Sequence, residues 1–256
     1  FLAGLGERVN VNRAPVRGSF ARNMNTLARA ASGRWLCLLN NDTVLQPRWL
    51  DELLLLAQQQ PRAAVLGNLH RFPHNRAIHH AGIVFDESKS PRLLYQGLPD
   101  TPAARVCRPM QCVNAACWLV PADSYHRLGG LDESYWNGYE DMDFCLRARA
   151  AGHEVWYCGS SQIEHHGQAS PGRMSQEDAN RRLFYSRWRD HIVADLDHFV
   201  LGDGVPWPRR SRSYRFWHGV WRSRLMSPLR NAFLRTSLGV SLRRRLLAGT
   251  NNDVIH

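Results

Sequence analysis

The sequence predicts an α/β domain with a mainly parallel sheet and flanking helices, and three observations carry that expectation. Runs of strand length alternate with helical patterns along the first third of the chain. Two of those runs, "RWLCLLN" (34–40) and "AAVLGN" (63–68), are largely apolar, as strands covered on both faces are. The polar stretch "NNDT" (40–43) follows the first run directly, and in such sheets ligands collect beyond the carboxyl ends of the strands.

Each element has a local reason. Val9 to Asn12 reads as a short strand. "RGSFARNMNTLARAASG" (17–33) reads as a helix with Phe20, Met24, Leu27 and Ala31 on one face and Gly33 as terminator. Pro47, tolerated in a first turn, opens a second helix, "PRWLDELLLLAQQQ". Residues 70–110 are irregular and read as an excursion covering the site. "QCVNAACWLV" (111–120) resumes as a strand, and "ADSYHRLGGLDESYWNG" (122–138) as a short helix and turn. A helix from Tyr139 to Ala151 is stopped by Gly152; "HEVWYC" and "SQIEHHG" read as two short strands; a longer helix spans roughly Gln176 to Asp195. "LGDGVPWPRR" (201–210) reads as a linker.

Composition narrows the class. Of 256 residues, 44% are hydrophobic and 21% charged, which suits an ordinary globular protein. No apolar run approaches the roughly 20 residues that span a bilayer, and "FLAGLGERVNVNR" has neither the basic start nor the apolar stretch of a signal peptide. The six cysteines form no C-x-x-C pair, so a zinc knuckle and a redox motif are both unsupported; they are expected to be reduced, buried and structural. The net charge of +11 is concentrated at the end: residues 204–256 hold eleven arginines against one acid, Asp253. Residues 1–203 therefore form a nearly neutral body, and residues 204–256 a basic, amphipathic helical tail.

Three acids, Glu140, Asp141 and Asp143, crowd the start of one helix. Asn137 followed by Glu140 fits a capping box, and Asp143 suits the positive end of the helix dipole. Asp141 stands apart, because the turn Trp136–Asn137–Gly138 exposes a cavity wall beside it. A carboxylate next to another carboxylate suits a general base. In "LNNDT", Asp42 forms an Asx turn or a cation and phosphate site. An imidazole from His165 or His166, in a strand end followed by glycine, could complete such a site, and an oxygen–nitrogen set favours Mn over Ca, with Mg also compatible.

These pieces stand in a familiar order. "GSFARNMNTLARAASGRWLCLLNNDT", "NAACWLVPADSYHRLGGLDESYW", "YEDMDFCLRARAAGHEVWYC" and "IEHHGQAS" together resemble the bacterial family 2 glycosyltransferases, from about Val9 to about Trp188. The resemblance implies a GT-A-like fold that binds a nucleotide-diphospho-sugar, and the L-N-N-D-T form resembles the rhamnosyltransferase-like branch. It implies Asp42 and His165 as ligands of a divalent metal, Mn or Mg, with His166 as second choice. It further implies Asn25, Asn40, Asn41 and Asp42 on the donor side, and Asp141, with Glu140 beside it, as the catalytic base. Trp136 is a candidate for stacking on an acceptor sugar or for a core position. That family opens with a strand–loop–strand unit that grips the base; nothing like it precedes Val9, so the catalytic domain is expected to continue upstream.

An inverting transfer needs one base on the acceptor side and one cation on the leaving-group side, which Asp141 and the Asp42–His165 unit supply. The implied donor is a nucleotide-sugar, with dTDP-rhamnose favoured, and the acceptor is a saccharide or a polyprenyl-linked glycan of the bacterial surface. The tail from 205 to 256 interleaves Arg with Trp, Phe and Leu, either as helices packed on the body or as an anchor on an anionic membrane. A cytoplasmic protein on the inner face of the membrane follows from the second. Two rivals remain at this level: a nucleic-acid-binding protein, which leaves the ordered acid and histidine motifs unexplained, and a glycosyltransferase-like domain without activity.

Overall fold

The computed structural model describes residues 9–167 and 173–205. The chain divides into two compact units, one ending at Leu196 and the other beginning at Asp197; the sheet and the site belong to the first. Of the expected basic tail, residues 206–256 lie outside the described residues.

Helix α1 (Phe20–Ala30) begins where Ser19 Oγ accepts the Arg22 N–H. Its buried face is Ala21, Asn25 and Ala28, not the expected Phe20, Met24, Leu27 and Ala31; Leu27 is 45% exposed. Small residues face inward because the helix must approach the body closely. Residues 9–12 are exposed and make no strand, since no described strand offers them a ladder.

Strand β1 (Trp35–Leu39) buries Leu36 and Leu38 but exposes Cys37. It is therefore covered on one face only, and one expected structural cysteine is at the surface. After the short β2 (Thr43–Leu45), helix α2 (Trp49–Gln59) turns Leu53, Leu56 and Ala57 inward. Strand β3 (Ala63–Arg71) is buried at all nine positions, which is why its sequence is nearly all apolar until its end.

The excursion contains β4 (Ile78–His80), which folds back on β3, and a two-stranded sheet of β5 (Ile83–Phe85) and β6 (Pro91–Leu93). A 3-10 turn (Pro102–Arg105) and β7 (Arg108–Pro109) follow. Strand β8 (Cys117–Pro121), α3 (Ala122–Arg127), α4 (Glu140–Ala150) and β9 (Glu154–His165) complete the body. Gly152, at φ 82°, ends α4. The expected two short strands are one, β9, whose register on β3 jumps from Asn68↔Cys158 to Leu69↔Gln162. Helix α5 spans Glu177–Trp188 and stops short of Asp195, because Gln111 holds Val193 through two backbone bonds and Asp195 accepts the Phe85 N–H.

The main sheet runs β1-β8-β3-β9-β2, with β4 on β3 and β7 on β9. The α/β class holds, but the sheet is mixed rather than mainly parallel: β3 and β9 are the one parallel pair among the described strands. The reason is topological. β1, β3 and β9 point the same way, as helical crossovers dictate, but the gap between β1 and β3 is filled by β8 running in the opposite sense. The core on one face is Leu53, Leu56 and Ala57 of α2 against Leu66, Leu119 and Ile163. Each fully buried leucine there contributes about 1.5–3 kcal/mol.

On the other face Gly67 allows close approach: a Cβ built there would lie 2.7 Å from Val113 Cβ. Gly67→Ala is therefore expected to destabilise the fold by about 1–3 kcal/mol, read as a lower urea midpoint with unchanged slope.

Candidate active site

The strands that share one direction carry their polar residues at their carboxyl ends. β1 ends at Asn40–Asp42, β3 at His70 and Arg71, and β9 at His165. The turn after β1 is held by the Asn40 N–H to Ala116 O (2.9 Å) and the Thr43 hydroxyl to Asn40 O (2.7 Å). β2 then pairs antiparallel with the end of β9, with Thr43 opposite His165, and the His166 N–H donates to Asp42 O at 2.9 Å. This ladder sets His165 Nε2 3.5 Å from Asp42 Oδ1, with the His165 side chain 7% and the Asp42 side chain 18% exposed. Neither ring nitrogen of His165 has a hydrogen-bond partner. Asn41 and His166 are exposed.

Sequence reasoning missed three further imidazoles around this pair. His79 stacks on His165 with centroids 5.0 Å apart and is itself covered by Phe72 at 4.3 Å. His70 lies 5.5 Å from His165 and 4.6 Å from His80. It is fully buried, with both nitrogens unpartnered. Burial, then the neighbouring His80, His165 and His79, push its pKa well below the ordinary imidazole range. His80 is fixed differently: Nδ1–H donates to Asn68 O (3.2 Å) and Nε2 accepts the Asn114 N–H (3.1 Å). Burial lowers its pKa to about 3, against the raising effect of the Asn68 bond. The density of histidine in "LHRFPHNRAIHHAG" (69–82) is the signal that could have found this cluster.

The three acids of α4 do three different things. Helix α4 follows a turn with positive φ at Asn137 (53°) and Tyr139 (73°). Glu140 Oε2 accepts the Gly138 N–H and closes that turn. The expected capping box is absent, because Asn137 Oδ1 instead accepts the Phe20 N–H (2.7 Å) and caps α1. Asp143, wholly buried, accepts from Arg147 Nε (2.7 Å), Trp188 Nε1 (2.8 Å), Arg187 Nη1 and the Tyr135 hydroxyl. It is a structural hub tying α4 to α5, a larger duty than the dipole role expected of it. Asp141 is 8% exposed; its Oδ1 accepts the Met142 N–H (2.8 Å) and its Oδ2 lies 3.4 Å from the Ala115 N–H.

Residues Asn114–Ala116 connect the two groups. Their backbone donates to His80, accepts from Asn40 and reaches Asp141, so one tripeptide at the amino end of β8 links the Asp42 turn, the imidazole cluster and the α4 carboxylate.

Asn25 stands elsewhere in the pattern of contacts. Its Oδ1 accepts from the Tyr125 hydroxyl (2.7 Å) and the Leu131 N–H (2.9 Å), while Nδ2 donates to Leu131 O (2.8 Å) and Glu133 (3.0 Å). All of its hydrogen-bonding capacity is used in clamping the Gly130–Glu133 loop to α1. It lines a polar cavity of about 400 Å³ with Arg29, Leu131, Glu133 and Arg147. Trp136 is half-buried, its backbone held at both N–H and C=O by Asn180.

Residues 3–183 match the family described as glycosyltransferase like family 2. The uncharacterized protein y4gI of Sinorhizobium fredii is 30% identical over 210 residues, 76% of this chain and 23% of that protein. The O-antigen biosynthesis protein RfbC of Myxococcus xanthus is 31% identical over 172 residues, 64% of this chain and 13% of that protein. The N-acetylglucosaminyl-diphospho-decaprenol L-rhamnosyltransferase of Mycobacterium tuberculosis is 31% identical over 157 residues, 54% of this chain and 49% of that protein. The chain thus spans half or less of the length of each of these relatives. In fold, it is similar to a crystal structure of GalNAc-T7 with UDP, GalNAc and Mn2+, at a TM-score of 0.53 and 14% identity, over 82% of this chain and 42% of that one.

The buried imidazoles generate a pH dependence. His70 and His80 stay neutral in the fold but take up protons near pH 6.5 once unfolded, so their contribution is present above about pH 6.5 and lost as the pH falls below it, for His80 down to about 3. The urea midpoint is expected to drop between about pH 7.5 and about pH 5, and His80→Gln to shrink that drop. Asp143→Ala, which leaves Arg147 and Arg187 without their buried partner, is expected to cost about 3–5 kcal/mol in the same assay.

Proposed function

The chain belongs to glycosyltransferase family 2, and from that premise we propose that it transfers a sugar, with inversion, from a nucleotide-diphospho-sugar to a saccharide or lipid-linked acceptor in bacterial surface polysaccharide synthesis. The observation that carries this reading is the approach of His165 to Asp42 at 3.5 Å beyond the carboxyl ends of the co-directional strands. The tripeptide Asn114–Ala116 links that pair to Asp141.

Asp42 and His165 are the residues that would hold a divalent cation, Mn or Mg. The fit rests on two buried imidazole nitrogens without partners beside a carboxylate, a nitrogen–oxygen donor set that these ions accept. Among the described residues no three His, Cys, Asp or Glu side chains surround a common point, so phosphate oxygens and water must complete the shell. When bound, the cation supplies neutralisation of the charge that develops on the departing nucleoside diphosphate.

The protein's own groups do the rest. Asp141 accepts the proton of the acceptor hydroxyl. The backbone N–H groups of Met142 and Ala115 aim its carboxylate. Glu140 holds the turn that presents it. Asn40 and Asn41 lie on the donor side, and Trp136 offers its ring to the acceptor. The L-N-N-D-T form, with the similarity to a rhamnosyltransferase, favours dTDP-rhamnose as donor and a polyprenyl-linked acceptor. Among the described residues no helix is long and apolar enough to cross a membrane. Contact with an anionic membrane is therefore assigned to residues 205–256, on the strength of their charge.

Asp141→Asn is expected to lower transfer from dTDP-rhamnose to a polyprenyl-diphosphate-linked acceptor by about 10²–10⁴-fold or more, with nucleotide-sugar affinity unchanged; full turnover in that variant rejects the base. Asp42→Ala is expected to abolish the Mn-dependent part of nucleotide-sugar binding in calorimetry. Equal binding with and without Mn in the unaltered protein rejects the cation site.

A further inference from the structure

We propose that Cys107 and Cys158 form a redox-active thiol pair, in which Cys107 attacks a low-molecular-weight disulfide and Cys158 then closes an intramolecular disulfide. The pair is set by strand register. β7 and β9 are antiparallel with Arg108 opposite Tyr157 and Pro109 opposite Trp156, and the Met110 N–H donates to Val155 O at 2.9 Å. Counting back from that bond, Cys107 lies directly opposite Cys158 at a non-hydrogen-bonded position. There, facing residues come closest, with Cα atoms about 4.5 Å apart, and that separation lies within the disulfide range. Side chains opposite one another share a face, and the two Sγ atoms are 3.8 Å apart. Rotation of the side chains closes them to the bonded distance of about 2.0 Å.

The surroundings give the two sulfurs different roles. Cys107 is half-exposed and Cys158 fully buried. Beyond Cys158 the β9 register slips on β3, and in that irregular stretch the N–H groups of Ser160 and Gly159 turn toward Cys107. The Ser160 hydroxyl lies 3.7 Å from Cys107 Sγ and 3.4 Å from Cys158 Sγ. The Cys158 thiol first, then these Ser160 and Gly159 donors, hold the Cys107 thiol down to about 5, whereas the same bond and burial push Cys158 up. Cys107 is thus the thiolate within reach of solvent, and Cys158 the thiol behind it. Cys112 and Cys145, by contrast, are both fully buried.

The electrons balance with the disulfide as oxidant. The Cys107 thiolate displaces one thiolate from the reagent and forms a mixed disulfide. Cys158, losing its proton, attacks the Cys107 sulfur and releases the second thiolate, so two protein thiols are oxidised and one reagent disulfide is reduced to two thiols. The new bond fastens β7 and the Pro102–Arg105 turn to the strand that ends at His165. That turn already lies against β9, since a Cβ at Gly159 would meet the Arg105 carbonyl carbon at 2.3 Å.

The test is incubation of the full chain with excess oxidised glutathione, followed by thiol titration and peptide mapping without reduction. Free thiols are expected to fall from six to four, with Cys107 and Cys158 in one cross-linked peptide pair. Cys158→Ser is expected to accumulate the glutathione adduct on Cys107. Retention of six thiols, or a crosslink between Cys37 and Cys117 in its place, overturns the proposal, and the map of the unaltered protein decides this even where the variant does not fold.

Discussion

The ladder between Thr43–Leu45 and the last residues of β9 is the constraint from which the site follows. Side chains alternate across a strand, so the register of β9 decides which of two adjacent histidines turns inward. Ile163 is locked in the core, His165 shares its face two residues later, and His166 is left in solvent. β2 adds little burial of its own, since Val44 and Leu45 are 47% and 39% exposed. What it contributes is direction: the backbone bond from His166 to Asp42 holds the carboxylate against the imidazole. A slip of one residue would exchange His165 for His166 and separate the pair.

The imidazole cluster carries a stability cost that a core would avoid. His80 is satisfied at both nitrogens, which makes it a structural histidine despite its low pKa. His70 and His165 are buried with unpartnered nitrogens, and such groups are rare in folded proteins because desolvation is not repaid by a bond. Their concentration at the end of β3 and β9, beside Asp42, distinguishes this region from the apolar face under α2.

The three acids of α4 show how one turn of helix divides labour. Asp143 points inward and is saturated by two arginines, a tryptophan and a tyrosine, so α4 and α5 hold together through it. Glu140 is consumed by the turn before the helix. Asp141 remains, restrained by two backbone donors and aimed at the loop entering β8. Removing a proton from an acceptor demands a carboxylate that is held in a fixed orientation, and the Met142 and Ala115 N–H groups provide that hold.

The sequence by itself determined the α/β class and most helices and strands, because burial and turn chemistry leave local traces. It did not determine the strand directions, since the insertion of β8 between β1 and β3 is a long-range pairing that no local pattern encodes. Nor could it assign Asn25 and Asn137, whose side chains are committed to partners more than a hundred positions away. The same holds for Asp143, whose Arg187 and Trp188 partners arrive from α5, and for His79, which reads as a loop residue until β4 folds back on β3 and brings it against His165 and near His70 at the end of β3. Local propensity follows from neighbours in the chain, whereas the chemistry of a side chain follows from neighbours in space, and only the tertiary structure decided those.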